Sequence, residues 1–140
     1  VQYNRGSLGS LAPQAIQVGR GSPRVSDETV EVTLLAPSSP AFTTPNQITQ
    51  FDFEEWVQER GLYFAASWDS AYVPLLEMND PGEEARRGSL LVATVGEGLF
   101  IYTGLSFFRQ WASRVPGAYR LFANLISLEP AAWIEFTRGN

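Results

Sequence analysis

Residues 29–35 alternate along the chain, with Val30, Val32 and Leu34 on one side and Glu31 and Thr33 on the other. That period of two predicts a half-buried strand. The pattern changes at residues 90–95 and 99–103, where both faces are apolar: Leu90 and Val92 on one, Leu91, Ala93 and Val95 on the other. Such strands are expected mid-sheet, beneath covering layers. Gly96-Glu97-Gly98 between them predicts a hairpin with a three-residue loop and a left-handed glycine. Beyond Pro116 the period lengthens, and Ala118, Leu121, Phe122, Leu125 and Leu128 recur as the buried stripe of a helix that starts at Pro116 and stops at Pro130. Residues 105–113 predict a shorter helical piece carrying Phe107, Phe108 and Trp111. Residues 133–136 predict a final edge strand or a tail that seeks a partner.

Punctuation fills in the rest. Pro37, Pro40 and Pro45 predict an extended, non-helical run up to Asn46. Thr49, with Asp52, Phe53 and Trp56 after it, predicts a short helix with Thr49 as N-cap and Gly61 as the C′ residue. Residues 62–66 and 72–76 read as short strands, and residues 78–88 as a turn leading into a polar loop. The Gly-, Ser- and Pro-rich residues 6–23 read as a long flexible loop. Residues 1–5 look like the tail of a buried strand, which predicts that the chain is the latter part of a longer protein. The expected architecture is one α/β domain over residues 1–140, a β-rich layered sheet with a C-terminal hairpin and a packed helix. The twenty residues 89–108 carry one charge, Glu97, but Gly96-Glu97-Gly98 at their centre argues for the hairpin and against a membrane span.

Composition narrows the chemistry. At 44% hydrophobic and 18% charged, the 140-residue chain has the make-up of a folded globular domain. It has no His and no Cys, and its ten basic residues are all Arg. Thiolate catalysis, a Ser-His-Asp triad and the usual zinc sites cannot be assembled from these side chains. Schiff-base chemistry and the Walker A lysine are excluded too. What remains is carboxylate chemistry, oxygen ligation of hard cations, or binding without chemistry, and no cofactor or metal is assigned. A net charge of −5 with a single basic doublet, Arg86-Arg87, argues against a nucleic-acid partner. The lack of Cys leaves the redox compartment open.

The run FDFEEWVQERGLYFAASWDSAY, residues 51–72, is the richest candidate site. Read functionally, Trp56, Tyr63, Trp68 and Tyr72 form a sugar-stacking platform, with Asp52, Glu54, Glu55 or Glu59 as acid and base. Read structurally, the run is an amphipathic helix with Phe53, Trp56 and Val57 turned inward and its acids in water. Packing is the first expectation, a platform the second and catalysis the third. Glu77, Asn79, Asp80, Glu83 and Glu84 are oxygen ligands for a calcium ion or, as Pro81-Gly82 suggests, simply a turn. Arg109 and Arg120 are carboxylate binders or ion-pair partners, the latter preferred.

Several long runs carry a resemblance: DFEEWVQERGLYF, PLLEMNDPGE, GSLLVATVGEGLFIYTGLSFFRQ and VPGAYRLFANLISL, with QYNR and LLAPSSPAFTTPNQI before them. They resemble the C-terminal region of large bacterial PIG-L-type deacetylases, which are similar to N-acetylglucosaminyl deacetylases. The resemblance implies a class I glutamine-amidotransferase-like, flavodoxin-like fold, with residues 1–5 as an inner strand. It implies no catalytic residue, because the deacetylase acidic motif and the amidotransferase Cys and His are missing, and Ser39-Pro40 stands where His-Pro is expected. The expected role is therefore a non-catalytic accessory or assembly domain of a larger carbohydrate-active hydrolase that contributes to glycan recognition. Its partners would be the rest of the parent protein, a glycan, or a second copy covering the exposed inner strand. The competing readings are a carboxylate-dependent glycan hydrolase and a purely structural oligomerisation module.

Overall fold

A computed structural model describes residues 11–140. Its core element is the apolar hairpin, formed by β6 (Leu90–Val95) and β7 (Gly98–Thr103). The pair runs from Leu90↔Thr103 to Val95↔Gly98, so the loop is two residues long rather than three. Gly96 takes φ 57° at the first central position, the II′ arrangement whose twist matches the flanking strands. The edge strand β4 (Val73–Pro74) pairs antiparallel with β6, giving the order β4-β6-β7.

Both faces of this sheet are covered, as the two-sided apolar pattern requires. Leu90 and Val92 face the main core with the helices, and Leu91 and Ala93 face a second cluster of Ile16, Ala65, Tyr72 and Tyr102. The second cluster is roofed by a ribbon of β1 (Ile16–Gln17) against β3 (Ser67–Trp68). The stretch read as a flexible loop thus contains a strand at Ile16–Gln17, with Ile16 buried and Val18 packed beside it. Its Gly/Ser/Pro composition hid a short Ile-Gln-Val alternation. Residues 1–5, read as a strand, lie outside the described residues. A third small pairing joins β2 (Thr33–Leu34) to β5 (Leu76–Glu77), with Val32 buried and Glu31 and Thr33 exposed as the alternation predicts.

Proline placement accounts for the helices. α1 (Pro40–Thr43) starts with Pro40 at N1, and the Ser39 hydroxyl accepts from the Ala41 N–H at 3.2 Å. The run expected to stay extended thus contains a helical turn. α2 (Phe107–Ala112) and α3 (Pro116–Ile126) fall where the pattern put them. The final segment is corrected from edge strand to helix: α4 (Pro130–Arg138) begins at Pro130 and buries Trp133 to 1% exposure. α4 packs on α1, while α3 packs on α1, α2 and the turn at residues 50–53. The molecule is thus mixed α/β, built from small antiparallel sheets and short helices, and none of its helices is long and apolar enough to cross a membrane among the described residues.

Candidate functional site

The acidic, aromatic run begins with a cap. The Thr49 side chain accepts from the Phe51 N–H at 3.3 Å, and Asp52 Oδ2 accepts from the Thr49 N–H at 2.9 Å, closing a reciprocal capping box. Only one turn is built on it, a 3-10 helix over Gln50–Phe53, and the chain then breaks, with Glu55 and Gln58 at φ 60° and 70°. The expected amphipathic helix ending at Gly61 is not formed, and Glu55 and Glu59 share no helical face. Gly61 instead bridges Val25 and Leu105. The residues expected to turn inward nevertheless do so, since Phe53 and Trp56 are buried and Val57 is half-buried.

What breaks the helix is a set of tertiary clamps on residues 53–60. The buried Gln110 accepts from the Val57 N–H at 2.8 Å and donates to its carbonyl at 3.0 Å. Buried Arg60 donates to the carbonyls of Phe53 and, at 2.6 Å, Val30. Burial pushes its guanidinium down to about 10, opposed by the nearby Asp27 and Glu28 charges, so the group stays charged at neutral pH. Each clamp replaces the backbone bonds a helix would have made.

The candidate acids go to structural partners. Asp52 Oδ1 accepts from Arg120 Nε at 2.7 Å while its other oxygen caps Thr49. Glu59 is bound by Arg109 Nε. Arg109 and Arg120 are thus ion-paired, as preferred. Glu54 and Glu55 are exposed and line an open groove of about 500 Å³ with Phe51, Arg120 and the start of α3. A glycosidase acid needs a desolvating pocket facing a second carboxyl, and two adjacent exposed glutamates do not make one.

The proposed platform is dispersed. Trp56 lies inside the main core, in a chain of ring contacts to Phe53 at 5.7 Å and to Phe107 at 5.9 Å, and its indole N–H donates to the Asp52 carbonyl. Tyr72 is buried in the second cluster, on the other face of the sheet, and its hydroxyl donates to the Gln14 carbonyl at 3.1 Å. Burial there raises its pKa. Tyr63 is half-buried at φ 56°. Trp68 is half-exposed on β3, beside Gln17, Ser67 and Asp69 in a shallow groove of about 470 Å³. Of the four aromatics, it is the one that lines a groove among those described.

The second acidic stretch is also engaged. Asp80 accepts from the Ser26 and Asp27 N–H groups, each at 2.9 Å, while Glu77 pairs with Arg87 and Glu83 with Arg86. Among the described residues no group of three such ligands is placed to hold a metal ion.

Phe51 escaped the sequence reading, although it is 77% exposed at the groove rim. The capping box was the available signal, because it places Phe51 on the outer side of a single turn. The buried clamps Arg60 and Gln110 left no such trace, nor did a third clamp, Asn124, whose buried side chain donates to the Ala41 and Asn46 carbonyls at 3.0 and 2.8 Å, since a polar residue in a run does not announce its burial. Comparison with protein-family models, curated proteins and solved structures finds no match.

Proposed function

We propose that this chain is a non-catalytic accessory unit of a larger carbohydrate-active protein, which packs against its parent and contributes a glycan contact through Trp68. The observation that carries this reading is the deployment of the carboxylates in the richest stretch: Asp52 and Glu59 are each held by an arginine, and beside the paired Asp52 the groove carries only the exposed Glu54 and Glu55. The absence of His, Cys and Lys supports it. The resemblance of the long runs to the C-terminal region of PIG-L-type deacetylases supports the parentage. It also supports the finer fold, in which the antiparallel strands described here belong to a glutamine-amidotransferase-like domain. At Trp68 an indole face can take the C–H side of a sugar ring while the Gln17 amide and Asp69 carboxylate meet its hydroxyls.

Titration with a panel of neutral, acidic and amino oligosaccharides, monitored by tryptophan fluorescence, tests the glycan contact. The expected result is a saturable change with at least one member that is lost in Trp68→Ala. No saturable change with any member, or one that survives Trp68→Ala, overturns it. A second reading, a structural oligomerisation module, draws on Tyr119 and Ile126 of α3, which are 49% and 71% exposed, and predicts no glycan binding.

A further inference from the structure

α3 carries more apolar surface than its own fold uses. Its inner face is buried through Ala118, Leu121 and Leu125. A second stripe, Tyr119, Phe122, Ala123 and Ile126, keeps the i, i+3, i+4, i+7 spacing roughly a third of a revolution around the helix. Tyr119 is 49% exposed and Ile126 is 71% exposed, while Phe122 is held half-buried by an edge contact with Trp111 at 4.9 Å. The polar residues Arg120 and Asn124 fall on a different side of the helix, so the stripe itself is uninterrupted. The stripe is also rigidly presented: the Tyr119 hydroxyl donates to the Trp111 carbonyl at 3.0 Å, and the far side of α3 is fixed by the Asn124 clamp and the Arg120–Asp52 pair.

We propose that the outer face of α3 pairs with the same face of a second copy, the two helices running antiparallel about a two-fold axis. The stripe is self-complementary in that arrangement. Tyr119 near the start of the helix meets Ile126 near the end of its mate, and small Ala123 beside the midpoint lets the axes approach. The charges at the two ends are complementary as well. Arg114 precedes the helix and Glu129 comes after it, both are exposed, and neither has an ion pair among the described residues. Antiparallel packing brings Arg114 of each copy to Glu129 of the other, giving two symmetry-related pairs, whereas parallel packing would set like charges side by side. One helix face buries less than a standard interface, so the dimer is weak, with a Kd between about 10 μM and 1 mM. The proposal is independent of any glycan contact.

Sedimentation equilibrium over that concentration range tests it. The wild-type chain is expected to move from monomer toward dimer mass, and Ile126→Glu to stay monomeric with an unchanged melting temperature measured in dilute solution. Arg114→Glu is expected to weaken the dimer about tenfold, and Arg114→Glu combined with Glu129→Arg to restore it. A wild-type chain that stays monomeric throughout would assign the face to some other occupant and overturn the proposal. So would a dimer that persists in Ile126→Glu. Failure of the double reversal to recover affinity over Arg114→Glu overturns the antiparallel arrangement.

Discussion

Gly117 shows how one residue ties the acidic turn to the helix layer. A Cβ at this position would lie 1.9 Å from the Asp52 carbonyl oxygen, so α3 reaches the turn over Gln50–Phe53 only through a bare backbone. Helix propensity alone favours alanine over glycine by about 1 kcal/mol. The contact reverses that sign: Gly117→Ala is expected to lose about 2–3 kcal/mol through overpacking, read by urea denaturation. Asp52 is the other half of this junction. Asp52→Asn keeps the shape but removes the charge that meets Arg120, while Asp52→Ala also removes the cap on Thr49. The expected order of stability is wild type, then Asn, then Ala, with about 1–2 kcal/mol lost at the last step. Tyr72 supplies a residue-level pH test. Its pKa is raised by burial, so the folded state keeps the phenol proton longer than the unfolded chain does. The stability it contributes is complete below the ordinary tyrosine value of 10.0 and is lost as pH rises through the higher folded value. Phenolate absorbance should show a late-titrating component that disappears in Tyr72→Phe.

The helices and strands show which parts of the fold could be read in advance. The hairpin was legible because Gly96-Glu97-Gly98 splits a continuous apolar run into two short halves, and α3 because its 3–4 spacing repeats along the helix, while the two-sided apolar pattern of β6 foretold both cores. Proline was the ambiguous sign. Pro116, Pro40 and Pro130 all occupy the first helical turn, yet the latter two read as extension and as termination. The difference lies in the residues after each proline. Pro40 opens only one turn, and Trp133-Ile134-Glu135-Phe136 suits a strand as well as a helix until Trp133 finds its pocket. The candidate helix after Thr49 failed for a different reason. Its cap was visible, but Gln110 acts on Val57 from 53 residues away, and no local pattern reports so distant a partner. Two predictions belong at this scale. Trp133→Ala should cost about 3–5 kcal/mol, whereas a loose tail would tolerate it with little change. Asn124→Ala should cost about 2–3 kcal/mol, because its side chain bonds Ala41 and Asn46 backbone groups at 2.8–3.0 Å and truncation leaves them unpaired. Urea denaturation reads both.

For the whole molecule, the picture is of charge spent on architecture. Four carboxylates, Asp52, Glu59, Glu77 and Glu83, each meet an arginine, and Asp80 anchors the loop at Ser26 and Asp27. The candidate site was only partly legible for the same reason. Residue types showed which chemistries the chain lacks, but whether Trp56 faces solvent or core depends on strands and helices drawn from the entire sequence. With Trp56 and Tyr72 turned into separate cores, the apolar surface left outside includes a half-exposed Trp68, an exposed Phe51 and the outer stripe of α3, all features suited to contact. Under the proposed function, the arginine-paired carboxylates Asp52 and Glu59 serve the fold, and no carboxylate of residues 51–72 turns over substrate. That statement is tested by assaying the purified chain and its Asp52→Asn/Glu55→Gln/Glu59→Gln variant on a panel of chromogenic glycosides. Both are expected to match the buffer rate while the variant unfolds at lower urea; hydrolysis by the wild-type chain that vanishes in a folded variant would contradict it.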